Sequence, residues 1–104
     1  MQQRVFGFAN AEFDLIDGQA TIRGECDLCN ASDIEKWLCS FGDAPIDVDL
    51  SGVTFFGASA LRALIAAANY NARLRIVDAS PIVRRVIDLT DTSGYFVTAD
   101  TRRR

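Results

Sequence analysis

Three small sets of residues in this chain could do chemistry: Ser59, the cysteines Cys26, Cys29 and Cys39, and the acids Asp47 and Asp49. The enzyme readings narrow quickly. There is no histidine, so a Ser-His-Asp arrangement cannot be built. No G-x-x-x-x-G-K-[ST] phosphate loop and no G-x-G-x-x-G occurs. Asp47 and Asp49 alternate with Ile46, Val48 and Leu50 in "PIDVDL". Solvent-facing alternates of a half-buried strand account for them more simply than an acid–base pair. Cys26-x-x-Cys29 has a metal or redox spacing, but a four-ligand zinc site would need carboxylates to complete it. An odd number of cysteines without an export signal argues against a disulfide framework. The thiols are expected to be reduced and packed near the core, with no metal and no cofactor.

Ser59 stands apart. "FFGASA" places small residues where a strand gives way to a helix, and Gly57 and Ala58 leave the site uncrowded. A serine at the N-cap or first turn satisfies an orphan N–H and contributes about 1 kcal/mol. Local chemistry alone favours that role. A phosphate on the same hydroxyl would have a different and definite effect. It would lie at the positive end of the helix dipole, beside backbone N–H donors. It would add about −1.5 to −2 charges at one surface point. A partner covering that point with an apolar or acidic surface would be lost, so one modification would act as a binary switch.

The elements that must position this corner follow from periodicity. "EFDLIDGQATIRGECD" alternates on both sides of Asp17-Gly18, a dipeptide suited to a tight hairpin, and predicts strands over 12–16 and 19–25. A weaker strand signal lies near Arg4–Phe8. In "NASDIEKWLCSF" Ser32 and Glu35 form a capping-box pattern. Ile34, Trp37, Leu38 and Phe41 share one helical face, and Gly42 ends the helix. The strand "PIDVDL" leads to a helix after Ser59 with Leu61, Leu64, Ile65 and Ala68 at core spacing. "RLRIVD" is a further strand, and "SPIVRRVIDLT" a helix with Ser80 as cap and Pro81 in its first turn. "YFVTA" adds a short strand or packed end. Strands alternating with helices imply right-handed crossovers, parallel neighbours and one antiparallel hairpin. The expectation is a single α/β domain over residues 1–104 with a mixed sheet and a short flexible basic tail at about 100–104.

Composition narrows function further. The chain is 49% hydrophobic and 24% charged, which fits a globular protein. A net charge of −3 disfavours general nucleic-acid binding, which needs a basic surface. Arg102 to Arg104 read as a solvated tail. No apolar run approaches the roughly 20 residues that span a bilayer. "MQQRVFGFANAEF" lacks the apolar stretch of a secretion signal, so a cytoplasmic location is expected.

Three blocks together resemble the STAS domains of bacterial anti-sigma factor antagonists. "GECDLCNASDIEKWL" is similar to the family's "GELD" strand and following helix. "DLSGVTFFGASALRAL" is similar to the central "DLSxVxFxDSSGLxxL", and "RLRIVDASPIVRRVIDLT" to the next strand and helix, typically "LxLxxxSPxVxRVLExT". The resemblance implies a curved, mostly parallel sheet with helices packed beside it, and a protein that is not an enzyme. It implies partner switching: the unmodified protein binds an anti-sigma factor that is also a GHKL-type serine kinase, phosphorylation ends that binding, and a PP2C-type phosphatase restores it. Aligning "DSSGL" with Gly57-Ala58-Ser59-Ala60-Leu61 puts the phosphoacceptor on Ser59. Asp27 takes the place of the "GELD" acid, and Cys26 that of an apolar residue. Gly57, Ala58 and Ala60 replace the family's Asp, Ser and Gly, so the hydroxyl remains while its acidic neighbour does not. On this reading Asp27, Thr54, Gly57, Ala58, Ala60 and Arg62 lie at or near the partner contact. Thr54 reads equally well as an incidental strand residue, and Arg62 as a solvated helix charge. An alternative from the same family is a permanently docked subunit of a lipid-trafficking ABC transporter, which would need no phosphate. A nucleotide or small-molecule sensor is a third, without a Gly-rich cradle to support it.

Overall fold

In this computed structural model each strand lies beside the one that precedes it in the chain. The structure describes the backbone of residues 2–8 and the whole of residues 10–98. The expected basic tail lies outside them. Strand β1 (Gln2–Phe8) pairs antiparallel with β2 (Ala11–Ile16), and β2 with β3 (Gln19–Cys26). The β2–β3 turn is the Asp17-Gly18 pair, with φ of 51° and 81°, the positive values that such a two-residue turn demands. From β3 onward the pairing is parallel: β4 (Ile46–Phe56), β5 (Leu74–Ala79) and the short β6 (Val97–Thr98). The result is one six-stranded mixed sheet in the order β1-β2-β3-β4-β5-β6.

Helices α1 (Ala31–Cys39), α2 (Ala58–Tyr70) and α3 (Pro81–Leu89) make the three crossovers. Right-handed crossovers that always step in one direction put their helices on one face of the sheet. The strand residues show which face. Phe13, Ile22, Ala20, Val48, Leu50, Leu74 and Ile76 are buried together with Leu38, Leu64 and Val83 of the helices. Trp37 stacks on Phe13 with ring centroids 4.9 Å apart, closing the core at the hairpin end. The opposite face is polar: Arg23 pairs with Glu12 and Asp14, Arg75 with Asp47, and Gln19 donates to Asp49. Asp47 and Asp49 are therefore strand alternates on the polar face.

The structure corrects the sequence reading at several places. Strand β4 runs past the Ile46–Leu50 alternation to Phe56, where "FFGASA" puts the end of a strand, but it is not regular throughout. Ser51-Gly52 breaks the alternation, and there the register against β3 shifts. A Cβ at Gly52 would lie 2.8 Å from the Arg23 Cγ, so glycine lets the Arg23 stem cross the strand. The Ser32–Glu35 capping box is not used. Asn30 occupies the N-cap of α1 with no side-chain cap bond. Its buried amide instead holds the preceding loop, Oδ1 accepting from the Asp27 N–H (3.0 Å) and Nδ2 donating to the Glu25 carbonyl (2.8 Å). Ser80 does occupy the N-cap of α3, but its hydroxyl makes no cap bond and is buried without a partner. On α2 Ile65 and Ala68 are only partly buried, and the core stripe runs instead through Ala60, Leu61, Ala63, Leu64 and Ala67, small residues among them letting neighbours approach closely.

Candidate functional site

The corner that carries Ser59 is built by the carboxyl ends of β3 and β4. Gly57 leaves β4 in an extended conformation and serves as the N-cap of α2. Its N–H donates to the Cys26 carbonyl at 2.9 Å, tying the corner to the end of β3. Its carbonyl accepts the first helical bond from the Leu61 N–H at 3.0 Å. Ser59 thus sits at the second position of the first turn rather than at the cap, and no side chain caps this end. Of the two expected positions, N-cap or first turn, Ser59 takes the second; it does not cap, because Gly57 holds the cap with its backbone alone.

The half-buried Ser59 lines an open groove of about 510 Å³ between α1 and α2, with Leu28, Ser32, Glu35, Arg62 and Ala66 around it. Arg62 lies one turn further along the same helix face. The Asp27 loop forms the near wall. A Cβ on Gly57 would meet the Asp27 Cα and the Cys26 carbonyl oxygen at 3.8 Å each. The Asp27 carboxylate accepts from the Cys29 N–H at 2.9 Å, shaping a tight turn that lifts Leu28 out to 80% exposure. Asp27, Gly57, Ser59 and Arg62 are therefore brought to one end of the α1–α2 groove, with Ala58 exposed beside them. Thr54 is exposed on β4 before the corner and does not line the groove. Ala60 is fully buried and belongs to the core, so it offers no surface to a partner, contrary to expectation.

Two apolar side chains at this corner escaped the sequence reading. Leu28 is one. The other is Phe55, half exposed, whose ring edge stands 3.3 Å from where a Cβ on Gly57 would be. The signals were present. Phe55 and Phe56 are adjacent in a strand, so both cannot face the core. Phe56 is buried and Phe55 is left outside. Leu28 falls inside a polar turn, where its burial is not required.

The cysteines divide. Cys26 is buried and its thiol is pushed up to about 12, first by burial and then by the Asp27 charge. Such a thiol is inert at neutral pH. Burial and the Glu35 charge also raise Cys39. Cys29 is exposed, so the expectation of a core thiol fails there. No helix among the described residues is long and apolar enough to cross a membrane.

Comparison with known proteins agrees with this architecture. A crystal structure of an anti-sigma factor antagonist from Mycobacterium paratuberculosis is similar, with 26% sequence identity and a TM-score of 0.68. The alignment covers 88% of this chain and 86% of that one. No curated protein gives a significant match. The family model of the STAS domain matches residues 14–104, from within β2 through all three helices, and the chain belongs to the STAS domain family.

Proposed function

We propose that this protein is an anti-sigma factor antagonist that works by partner switching. The observation that carries the reading is Ser59 itself. It does not cap α2 and instead lines an open groove. The unmodified corner, with Leu28, Phe55 and Ala58 exposed around it, suits an apolar contact. The partner is an anti-sigma factor with GHKL-type serine kinase activity, and Asp27, Thr54, Gly57, Ala58 and Arg62 lie at or beside its footprint. Phosphate on Ser59 would place about −1.5 to −2 charges against that apolar surface. Covering an anion without pairing it costs more than the contact returns, so the complex would dissociate. A PP2C-type phosphatase would reset the cycle. In this scheme the protein is a substrate and a ligand rather than a catalyst. The similarity to a solved anti-sigma factor antagonist supports the same reading.

The test is phosphoryl transfer. Incubation with candidate GHKL-type kinases and ATP should raise the protein's mass by one phosphate, and Ser59→Ala should abolish the gain. A kinase that binds tightly yet leaves the mass unchanged overturns the switch and favours a permanently docked role.

A further inference from the structure

Arg62 is the residue of this corner that the reading above leaves without a task. It is exposed, stands three residues after Ser59 on α2, and faces the same groove. Residues so spaced on a helix have Cβ atoms about 5–6 Å apart, within reach of a long side chain. Among the described residues Arg62 makes no ion pair, whereas Arg23, Arg75 and Arg84 each hold a carboxylate. The acid that shares its groove, Glu35, comes from the opposite wall, on α1. The lining thus holds one positive and one negative side chain that are not joined. Among the described residues nothing pairs with the Arg62 guanidinium.

We infer that Arg62 is a built-in receptor for the modification: once Ser59 carries a phosphate, the Arg62 guanidinium binds it within the same helix. This rests on Ser59 being the phosphoacceptor, but not on which kinase acts or what the partner is. The chemistry is that of a charge-assisted hydrogen bond between a planar guanidinium and phosphate oxygens. Glu35 repels the phosphate from the α1 side and favours the Arg62 side. The modification then does two things at once. It places a dianion in the groove, and it occupies the cation that lines the groove in the unmodified protein. The charge lining the groove passes from balanced to about −2 in a single step. Arg62 is a positioning residue for the phosphate, not a catalytic one.

The test needs neither kinase nor partner. Phosphoserine is incorporated at position 59 during synthesis, and the phosphorus resonance is titrated in low salt. The charged groups lining the groove are Arg62 and Glu35, with Asp27 in the loop at its end; the first lowers the second pKa of the phosphate and the two acids raise it. Arg62→Ala should raise that pKa by about 0.5 unit from a value near 6. Arg62→Lys should restore part of the difference, since it keeps the charge but not the fork. Glu35→Gln should lower the pKa in both backgrounds. Identical titrations for the parent and Arg62→Ala overturn the inference, while phosphorylation by a kinase would still stand. Failure of every kinase to modify Ser59, with the titration shift present, would instead remove the partner switch and leave the ion pair.

Discussion

At the scale of single residues, two buried side chains matter as much as Ser59. Asn30 is fully buried, and its amide serves the Asp27 N–H and the Glu25 carbonyl. Asn30→Ala leaves both backbone groups unpaired in the loop that carries Leu28. The expected loss is about 2–3 kcal/mol in urea unfolding. Cys26 gives a pH dependence. Burial raises its thiol from 9.0 to about 12 in the folded protein. An acid with a raised native pKa keeps its proton in the fold and releases it on unfolding. Its contribution to stability is whole below pH 9.0 and is lost as pH rises toward about 12. Urea midpoints should therefore fall across that window, and more shallowly in Cys26→Ala. Alkylation at neutral pH should label Cys29 and spare Cys26. The residue scale was also the least legible in the sequence. Ser59 and Ser32 both looked like caps, yet Gly57 and Asn30 hold those positions. Local propensity cannot see that the Gly57 N–H is claimed by the Cys26 carbonyl across two strands.

At the scale of elements, the sequence was far more informative. The Asp17-Gly18 turn, the amphipathic face of α1 and the Pro81 start of α3 follow from turn chemistry and 3.6-residue periodicity, and the structure has each of them. The break in β4 at Ser51-Gly52 did not follow, because Gly52 serves a tertiary contact with Arg23 that has no local signature. Two element-level predictions come from backbone geometry. Gly24 has φ of +98°, and a Cβ there would stand 2.3 Å from the Asn10 carbonyl oxygen. Gly24→Ala should lower stability by about 2 kcal/mol or more, read by chemical denaturation. Ser80→Ala should behave unlike other N-cap replacements. The usual loss is about 1 kcal/mol, but the Ser80 hydroxyl makes no bond to lose. Thermal unfolding should show no destabilisation. A drop of a full cap's worth would mean that the hydroxyl does bond to α3.

At the scale of the molecule, one face of the sheet is packed under helices and the other is open and charged. The pairs on the open face, Arg23 with Glu12 and Asp14 and Arg75 with Asp47, face water, where an ion pair is worth about 0–1 kcal/mol. High salt should therefore change the unfolding free energy by no more than about 1 kcal/mol per pair. A larger loss would mean that these pairs act as a network. The apolar core under α1, α2 and α3 sets stability, and the α1–α2 groove is free to serve recognition.

The strand order has a consequence for biosynthesis. Each strand leaving the ribosome finds its neighbour already made, so only the edge of the newest strand waits for a segment still to be translated. Assembly can keep pace with elongation from the amino end. The pairing surface exposed to aggregation at any moment is then little more than one growing edge.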